Sequence, residues 1–493
     1  MLALVLCVVL LIGAVVGITI YRIDEIGRVK VNGLEHVEKG IEDILLVGST
    51  SRCAVKPAKN FNVYVKQCEE GVNGVNSDVI MILRLNSNDH RVALLSIPRD
   101  TFVPDARAGD LSNKIDAALA DGPSQLVQAI KQDFGIPINH YVVLNFESFA
   151  DIVNALGGVD MYFPTQIKDM SGITQMKTGC QHIGGIEALA LVRARHLYYN
   201  YSYKTKTWRG YDGSGDLGRI ERDHIFLKVL AAAVRSRGLG NPATDEALLA
   251  AVAPQLTVDT TFGDGEMLNL VNTFHSVSIG GVPEYTAPIV EDTQTYIYKG
   301  YGYGDVVFPT EPQDQQTIDA FLGVTPAGLE LAPSAITVSV VDGTGSAAST
   351  AAVVTKLRAL GYRVVATGSQ TSVGPISETT VFYASPAHLQ QAEKVLSDVA
   401  GTVSMARGAS LGGADVTIVT GSDLAVVSNH PTQASPAAHA SHRAKTGPTS
   451  STTAATTTTT TPSTDGGVLA PPTAATSSIP PYDPRACPTT KAK

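Results

Sequence analysis

The apolar positions of this chain fall into short continuous runs, punctuated by Gly, Pro, Asn and Asp and alternating with stretches of helical period. The run Asp43-Ile44-Leu45-Leu46-Val47-Gly48 predicts the first strand of the main domain, ended by its glycine. Two further runs, Val79 to Leu85 and Val92 to Ile97, flank the turn residues Asn86-Ser87-Asn88-Asp89 and have the spacing of a hairpin. The segment Pro123 to Ile130 is amphipathic at helical spacing, with proline near its start and Gly135 as a stop. Strand Tyr141 to Phe146, helix Glu147 to Leu156 and the strand begun by Gly157-Gly158-Val159-Asp160 continue the alternation. This rhythm predicts a layered α/β/α domain with a central mixed sheet over residues 41–325. A second unit follows over residues 334–428. It reads as strand Ile336 to Val341, helix Thr350 to Leu360, strand Tyr362 to Ala366, strand Thr380 to Tyr383, helix Pro386 to Val399, then strands near Val403 and Val416 to Val419. That is a small α+β module with no evident catalytic constellation.

The pattern breaks at both ends. Leu2 to Ile20 hold no charged residue and one hydroxyl, Thr19, a run that at about 1.5 Å per residue nearly spans a bilayer core of about 30 Å. It predicts a membrane helix over residues 1–21 and a polar connector over 22–40. No Lys or Arg precedes the run and no clear A-x-A site follows it, which favours an uncleaved anchor over a cleaved signal peptide. Arg22, Arg28 and Lys30 follow it, so flanking charge does not fix the orientation. From residue 429 onward Thr, Ser, Pro and Ala dominate, with the run Thr456 to Thr461, and such a segment lacks the apolar content to offset its ordering entropy. A disordered tail is expected over 429–493. The formal net charge of -9 argues against a general nucleic-acid binder. Among the five cysteines, Cys53 and Cys68 flank a short polar loop and form a candidate disulfide, Cys180 and Cys487 have no obvious partner, and no C-x-x-C spacing suggests zinc.

Within this frame certain basic residues stand where strands end or helices begin. Arg99 closes Leu94-Leu95-Ser96-Ile97-Pro98-Arg99-Asp100, where proline turns the chain out of a sheet at the end at which open α/β sheets collect ligands. Arg193 and Arg195 lie two positions apart, on one face if the segment is extended and divergent if it is helical; an exposed basic edge strand accounts for them equally. Asp216-Leu217-Gly218-Arg219-Ile220-Glu221-Arg222-Asp223 opens an apolar helix with Arg219, Arg222 and Asp223 on one face. Arginines are disfavoured at a positive helix start unless an anion binds there, although a solvated face is the plainer reading. Arginine forks suit phosphate oxygens. Asp78 and Asp100 are candidate magnesium ligands beside such a site, and turn-forming carboxylates otherwise. Lys114 is unremarkable alone. The aromatic stretch Tyr198 to Tyr211 reads as a long loop whose rings stack on sugar faces or pack structurally.

Taken together these residues resemble the LytR-CpsA-Psr family over roughly Ile41 to Thr325. The words that carry the likeness are Leu95-Ser96-Ile97-Pro98-Arg99-Asp100, Gly157-Gly158-Val159-Asp160, Gly185 to Arg195 and Asp216 to Arg222. Residues Ile336 to Val427 resemble the C-terminal LytR-type domain that accompanies it. The resemblance implies an extracytoplasmic, single-pass protein of the cytoplasmic membrane. It implies an enzyme, a phosphotransferase moving a glycopolymer from a polyprenyl pyrophosphate carrier to a peptidoglycan acceptor through a phosphodiester. It further implies that Arg99, Lys114, Arg193, Arg195, Arg219 and Arg222 hold the pyrophosphate, that Asp78 helps bind magnesium, and that Asp216 orients the arginines or assists proton removal. The prenyl tail would need an apolar tunnel, expected between the sheet and the helix Phe149 to Leu156. Three positions depart from the pattern: Thr50 stands where the family has Asp, Asn76 where it has Arg, and Asp223 where it has Gln. Asp223 is therefore a candidate replacement magnesium ligand. The departures leave open a paralog that binds lipid-linked glycan without turnover, or a polyprenyl pyrophosphate phosphatase.

Overall fold

The computed structural model describes residues 25–37, 40–50, 75–109, 111–169, 175–236, 250, 252–274, 277, 282–323, 331–369, 378–422, 424–426 and 483–487. The expected membrane helix over 1–21 and the Cys53–Cys68 pair lie outside these residues. Among the described residues no helix is long and apolar enough to cross a membrane.

Strand Ile41–Ser49 sits at the middle of a seven-stranded mixed sheet, parallel to His140–Leu144 and antiparallel to Ser77–Asn86. Its residues Ile44 and Leu46 enter one apolar cluster and Leu45 and Val47 the other, because successive side chains of a strand point to opposite faces. All four are fully buried, each worth about 1.5–3 kcal/mol of apolar burial. Helices Phe146–Ala155, Gly185–Arg193, Gly215–Ser236 and Asp264–Phe274 cover the first face, and Pro123–Phe134 and Gln313–Leu322 the second. The layered α/β/α expectation is met.

The second unit has its own core around Val338, Val381, Val395 and Ile418. It is not separate in its sheet. Strand Tyr301–Glu311 of the first unit pairs with Val399–Arg407 of the second through Thr310↔Thr402 and Glu311↔Gly401. The Tyr383 hydroxyl donates to the Gln132 carbonyl across the same junction at 3.1 Å.

Several local expectations need correction. The segment carrying Arg193 is a helix, not a strand: Gly185–Arg193 is rich in Ala and Leu, its glycine start packs closely on Ala150, and Gly185 N–H donates to Asn154 Oδ1 at 2.8 Å. The aromatic stretch Tyr198 to Tyr211 is a hairpin of Leu197–Ser202 and Thr207–Asp212, in which Tyr201 packs on Trp208 and Tyr198 on Tyr211 at centroid distances of 5.0 and 5.3 Å. Lys206, at φ 56°, turns the chain between them. Part of the supposed tail is structured. Arg485–Ala486 adds a strand beside Val159–Phe163, and Cys487 forms a disulfide with Cys180 across 307 residues of sequence. No sequence spacing reveals that pair, since the fold alone brings the two Cα atoms to 5.7 Å.

Arg222 belongs to the same staple. Its side chain is fully buried, donating from Nη1 to Asp212 Oδ2 at 2.9 Å and Asp483 Oδ1 at 3.1 Å, and from Nη2 to the Ala194 carbonyl at 2.7 Å. Those bonds engage it in the frame, and it shares none of the carboxylates Asp78, Asp100 and Asp216 that Arg99, Lys114, Arg193, Arg195 and Arg219 contact. Arg222→Leu leaves two buried carboxylates short of a cation, and a loss of about 3–5 kcal/mol is expected in denaturant unfolding. A loss below about 1 kcal/mol would contradict this framework role.

Candidate anion site and apolar pocket

Strand Arg91–Ser96 ends at Ile97-Pro98, and the Thr101 hydroxyl donates to the Pro98 carbonyl at 2.7 Å, fixing the bend that projects Arg99. Its guanidinium contacts the Asp78 carboxylate directly, and its Nε lies 3.5 Å from Asp100 Oδ2 and 4.0 Å from Asp216 Oδ1. Asp116 Oδ2 is 4.0 Å from Nη1, and the Arg99 backbone N–H donates to Asp216 Oδ2 at 3.2 Å. Burial opposes the charge on Arg99, but Asp78, Asp100, Asp116 and Asp216 outweigh it and hold the pKa above its ordinary value.

The other cations arrive from separate elements. Arg219, in the first turns of helix Gly215–Ser236, reaches Asp216 Oδ1 at 2.6 Å and donates to the Asp78 carbonyl at 2.6 Å. Arg193, the last residue of its helix, places Nε 3.5 Å from Asp78 Oδ2 and its guanidinium 3.9 Å from the centre of the Phe146 ring. That ring is set by the start of the preceding helix Phe146–Ala155, where Asn145 Oδ1 accepts from Ser148 N–H at 2.9 Å. Lys114 donates to Asp100 Oδ1 at 2.9 Å, and Arg195 stands 3.5 Å from Asp100 Oδ2 with its side chain 40% exposed. Arg99, Lys114, Arg193, Arg195 and Arg219 thus converge, although Arg193 and Arg195 do so from a helix end and the turn after it.

The carboxylates divide into two kinds. Burial raises Asp78, but Arg99, Arg219 and Arg193 outweigh it and hold its pKa below the ordinary value; Asp100 is lowered in the same way against burial by Arg99, Lys114 and Arg195. Asp116 is pushed up to about 6, first by burial and then by Asp100 and Asp78, against the pull of Arg99. Asp223 is pushed up to about 7 by burial, with Arg219 opposing, and neither of its carboxylate oxygens has a hydrogen-bond partner. Sequence reasoning overlooked Asp116; its signal was a single carboxylate inside the buried run Ile115-Asp116-Ala117-Ala118-Leu119.

Asp78, Arg193, Arg219 and Asp223 share the wall of a pocket with Val79, Met81, Phe149, Leu189 and Phe226. It runs between the sheet and the helices that carry Phe149, Leu189 and Phe226, where an apolar tunnel is expected. Thr50 and Asn76, both departures from the family pattern, are bonded to each other. Thr50 N–H donates to the Asn76 carbonyl at 2.9 Å, and Asn76 N–H donates to Thr50 Oγ1 at 3.0 Å. Asn76 Nδ2 also donates to Asp116 Oδ2 at 3.1 Å.

Comparison with known proteins gives the family. The model of the LytR-CpsA-Psr family matches residues 24–306, and that of the LytR cell envelope-related transcriptional attenuator matches 335–424. The cell wall biosynthesis protein LcpA of Corynebacterium glutamicum is 24% identical over 374 residues, which is 67% of each chain. The polyisoprenyl-teichoic acid–peptidoglycan teichoic acid transferase TagU of Bacillus anthracis is 36% identical over 165 residues, 32% of this chain and 48% of its own. The polyisoprenyl-teichoic acid–peptidoglycan teichoic acid transferase TagV of Bacillus subtilis is 32% identical over 163 residues, 31% of this chain and 38% of its own. This chain therefore spans about two thirds of LcpA and less than half of either Bacillus protein. The crystal structure of B. subtilis TagV aligns with a TM-score of 0.42 and 22% identity, covering 59% of this chain and all of that one. With one family model spanning more than half of its length, the chain belongs to the LytR-CpsA-Psr family.

Proposed function

We propose that this protein is a membrane-anchored cell-envelope transferase that moves a glycopolymer from a polyprenyl pyrophosphate carrier to a peptidoglycan hydroxyl. The observation that carries the reading is adjacency: Arg193 and Arg219 stand in the wall of an apolar pocket, with Arg99 beside them on Asp78. A pyrophosphate at those guanidiniums would direct its prenyl chain between Met81, Phe149, Leu189 and Phe226. Lys114 and Arg195, both on Asp100, would meet the glycan-linked phosphate. In this reading Leu2 to Ile20 supplies the anchor, with the domains outside the cytoplasmic membrane as the family resemblance implies.

In the proposed reaction the acceptor oxygen forms a bond to the glycan-linked phosphorus as the bond to polyprenyl phosphate breaks, and the hydroxyl proton passes to a carboxylate. Charge neutralisation and positioning by preorganised arginines supply most of the rate. Asp78, Asp100 and Asp216 orient those arginines. Asp116 has a proton affinity suited to taking the acceptor proton. The unpartnered oxygens of Asp223, in the same pocket wall as Asp78, fit a hard divalent cation, so these two would hold magnesium. The chemistry such an ion would supply is Lewis-acid neutralisation of phosphate charge.

Incubating the purified full chain with a polyprenyl pyrophosphate-linked glycan, magnesium and peptidoglycan tests the reading. Phosphodiester-linked product is expected, and Arg99→Ala should lower its rate by about 10²–10³-fold. Binding without turnover, or release of free phosphate with no linked product, would instead support one of the two competing activities. The rate should rise with pH through about 6 as Asp116 loses its proton, and Asp116→Asn should abolish that acidic limb; a limb that persists removes Asp116 from this role. Asp223→Asn is expected to weaken magnesium binding in calorimetry and to slow transfer, and no change in either quantity would reject it as a ligand.

A further inference from the structure

At the end of the sheet away from the arginines, three side chains from separate elements meet. Glu42 stands near the start of strand Ile41–Ser49, His140 opens the neighbouring strand His140–Leu144, and Glu266 lies in the first turn of helix Asp264–Phe274. One ligand atom from each falls within 4.8 Å of the others. Glu42 and His140 are 7% and 4% exposed.

The imidazole is held on two sides. Its ring stacks on Phe262 with centroids 4.1 Å apart and planes at 16°. Its Nδ1 lies 3.2 Å from Asp259 Oδ2, and that carboxylate is itself fixed by the N–H groups of Tyr141, Thr261 and Phe262 at 2.9, 2.8 and 2.9 Å. A carboxylate on Nδ1 assigns the proton there and turns the Nε2 lone pair outward, the support that metal-binding histidines receive. Nε2 is buried without a hydrogen-bond partner, and so is Glu42 Oε2. Glu266 Oε2 stands 3.4 Å from Nε2. Tetrahedral zinc with bonds of about 2.1 Å separates its ligands by about 3.4 Å. A lone pair facing two carboxylates is repulsive until a proton or a metal ion enters between them; burial opposes the proton on His140, and Asp259, Glu266 and Glu42 outweigh it.

We propose that Glu42, His140 and Glu266 bind a divalent transition-metal ion of the zinc class, with Asp259 positioning His140 and solvent reaching the fourth position past the half-buried Glu266. The imidazole and carboxylate donors suit zinc, and cobalt can report on the same geometry. The ion would clip the starts of two central strands to helix Asp264–Phe274, a structural role distinct from the magnesium proposed at Asp78 and Asp223.

The test uses the purified full chain, stripped with chelator and titrated with Co²⁺ and then Zn²⁺. The unaltered protein is expected to bind Co²⁺ with the intense visible absorption of a four-coordinate nitrogen and oxygen site, to release it to Zn²⁺, and to melt at a higher temperature with Zn²⁺ than without. Glu266→Gln, at a partly exposed position that should still fold, is expected to weaken binding by about 10–100-fold and remove the thermal shift. Glu42→Gln should do the same, whereas Asp78→Asn should retain the Co²⁺ spectrum. The proposal is overturned if the unaltered chain shows no such spectrum at equimolar metal, or if Glu266→Gln and Glu42→Gln keep both the spectrum and the thermal shift.

Discussion

A single buried carboxylate, that of Asp78, organises the centre of this molecule. Left alone in the interior it would carry a desolvation penalty of several kcal/mol. Arg99 and Arg193 answer its side chain and Arg219 bonds its carbonyl, so a strand end, a helix end and a helix start are drawn to one point. Asp216 is shared by Arg99 and Arg219 and Asp100 by Arg99 and Arg195, which offsets the repulsion between their like charges. The cations are therefore fixed in place before any anion arrives, and little reorganisation is required of them.

The pocket inherits its position from the same constraint. Helix Gly185–Arg193 must end with Arg193 over Phe146, which places Leu189 one turn earlier in the apolar wall. Helix Gly215–Ser236 must begin with Arg219 near Asp78, which brings Asp223 and Phe226 into that wall one and two turns later. Arg222, the next residue along that side of the helix, joins Asp212, Ala194 and Asp483, so one helix supplies both a site cation and a cation that holds its frame. The apolar layer and the ionic layer meet along that helix.

Much of the fold was legible because burial leaves a periodic trace. The run Ile44 to Val47 is apolar throughout because helices cover both of its faces, and the hairpin of Ser77–Asn86 with Arg91–Ser96 announces itself through its turn residues. The segment around Arg193 was less legible. A two-residue spacing favours an extended reading, whereas Ala, Leu and the Asn154 contact favour a helix, and tertiary packing decided between them. The aromatic hairpin was hidden because its turn uses Lys206 at positive φ in place of glycine.

The sequence alone determined the layered class, the two-unit rhythm, and the identity of Arg99, Lys114, Arg193, Arg195 and Arg219 as cations worth bringing together, since these depend on local pattern and on family words. Only the tertiary structure decided that Arg222 faces inward to the frame, that Asp116 joins the cluster, that Cys180 meets Cys487, and that Thr50 and Asn76 bond to each other. The reason is distance along the chain. Helix and strand periods are fixed by near neighbours, whereas which buried charge meets which is set by desolvation and packing among residues tens to hundreds of positions apart.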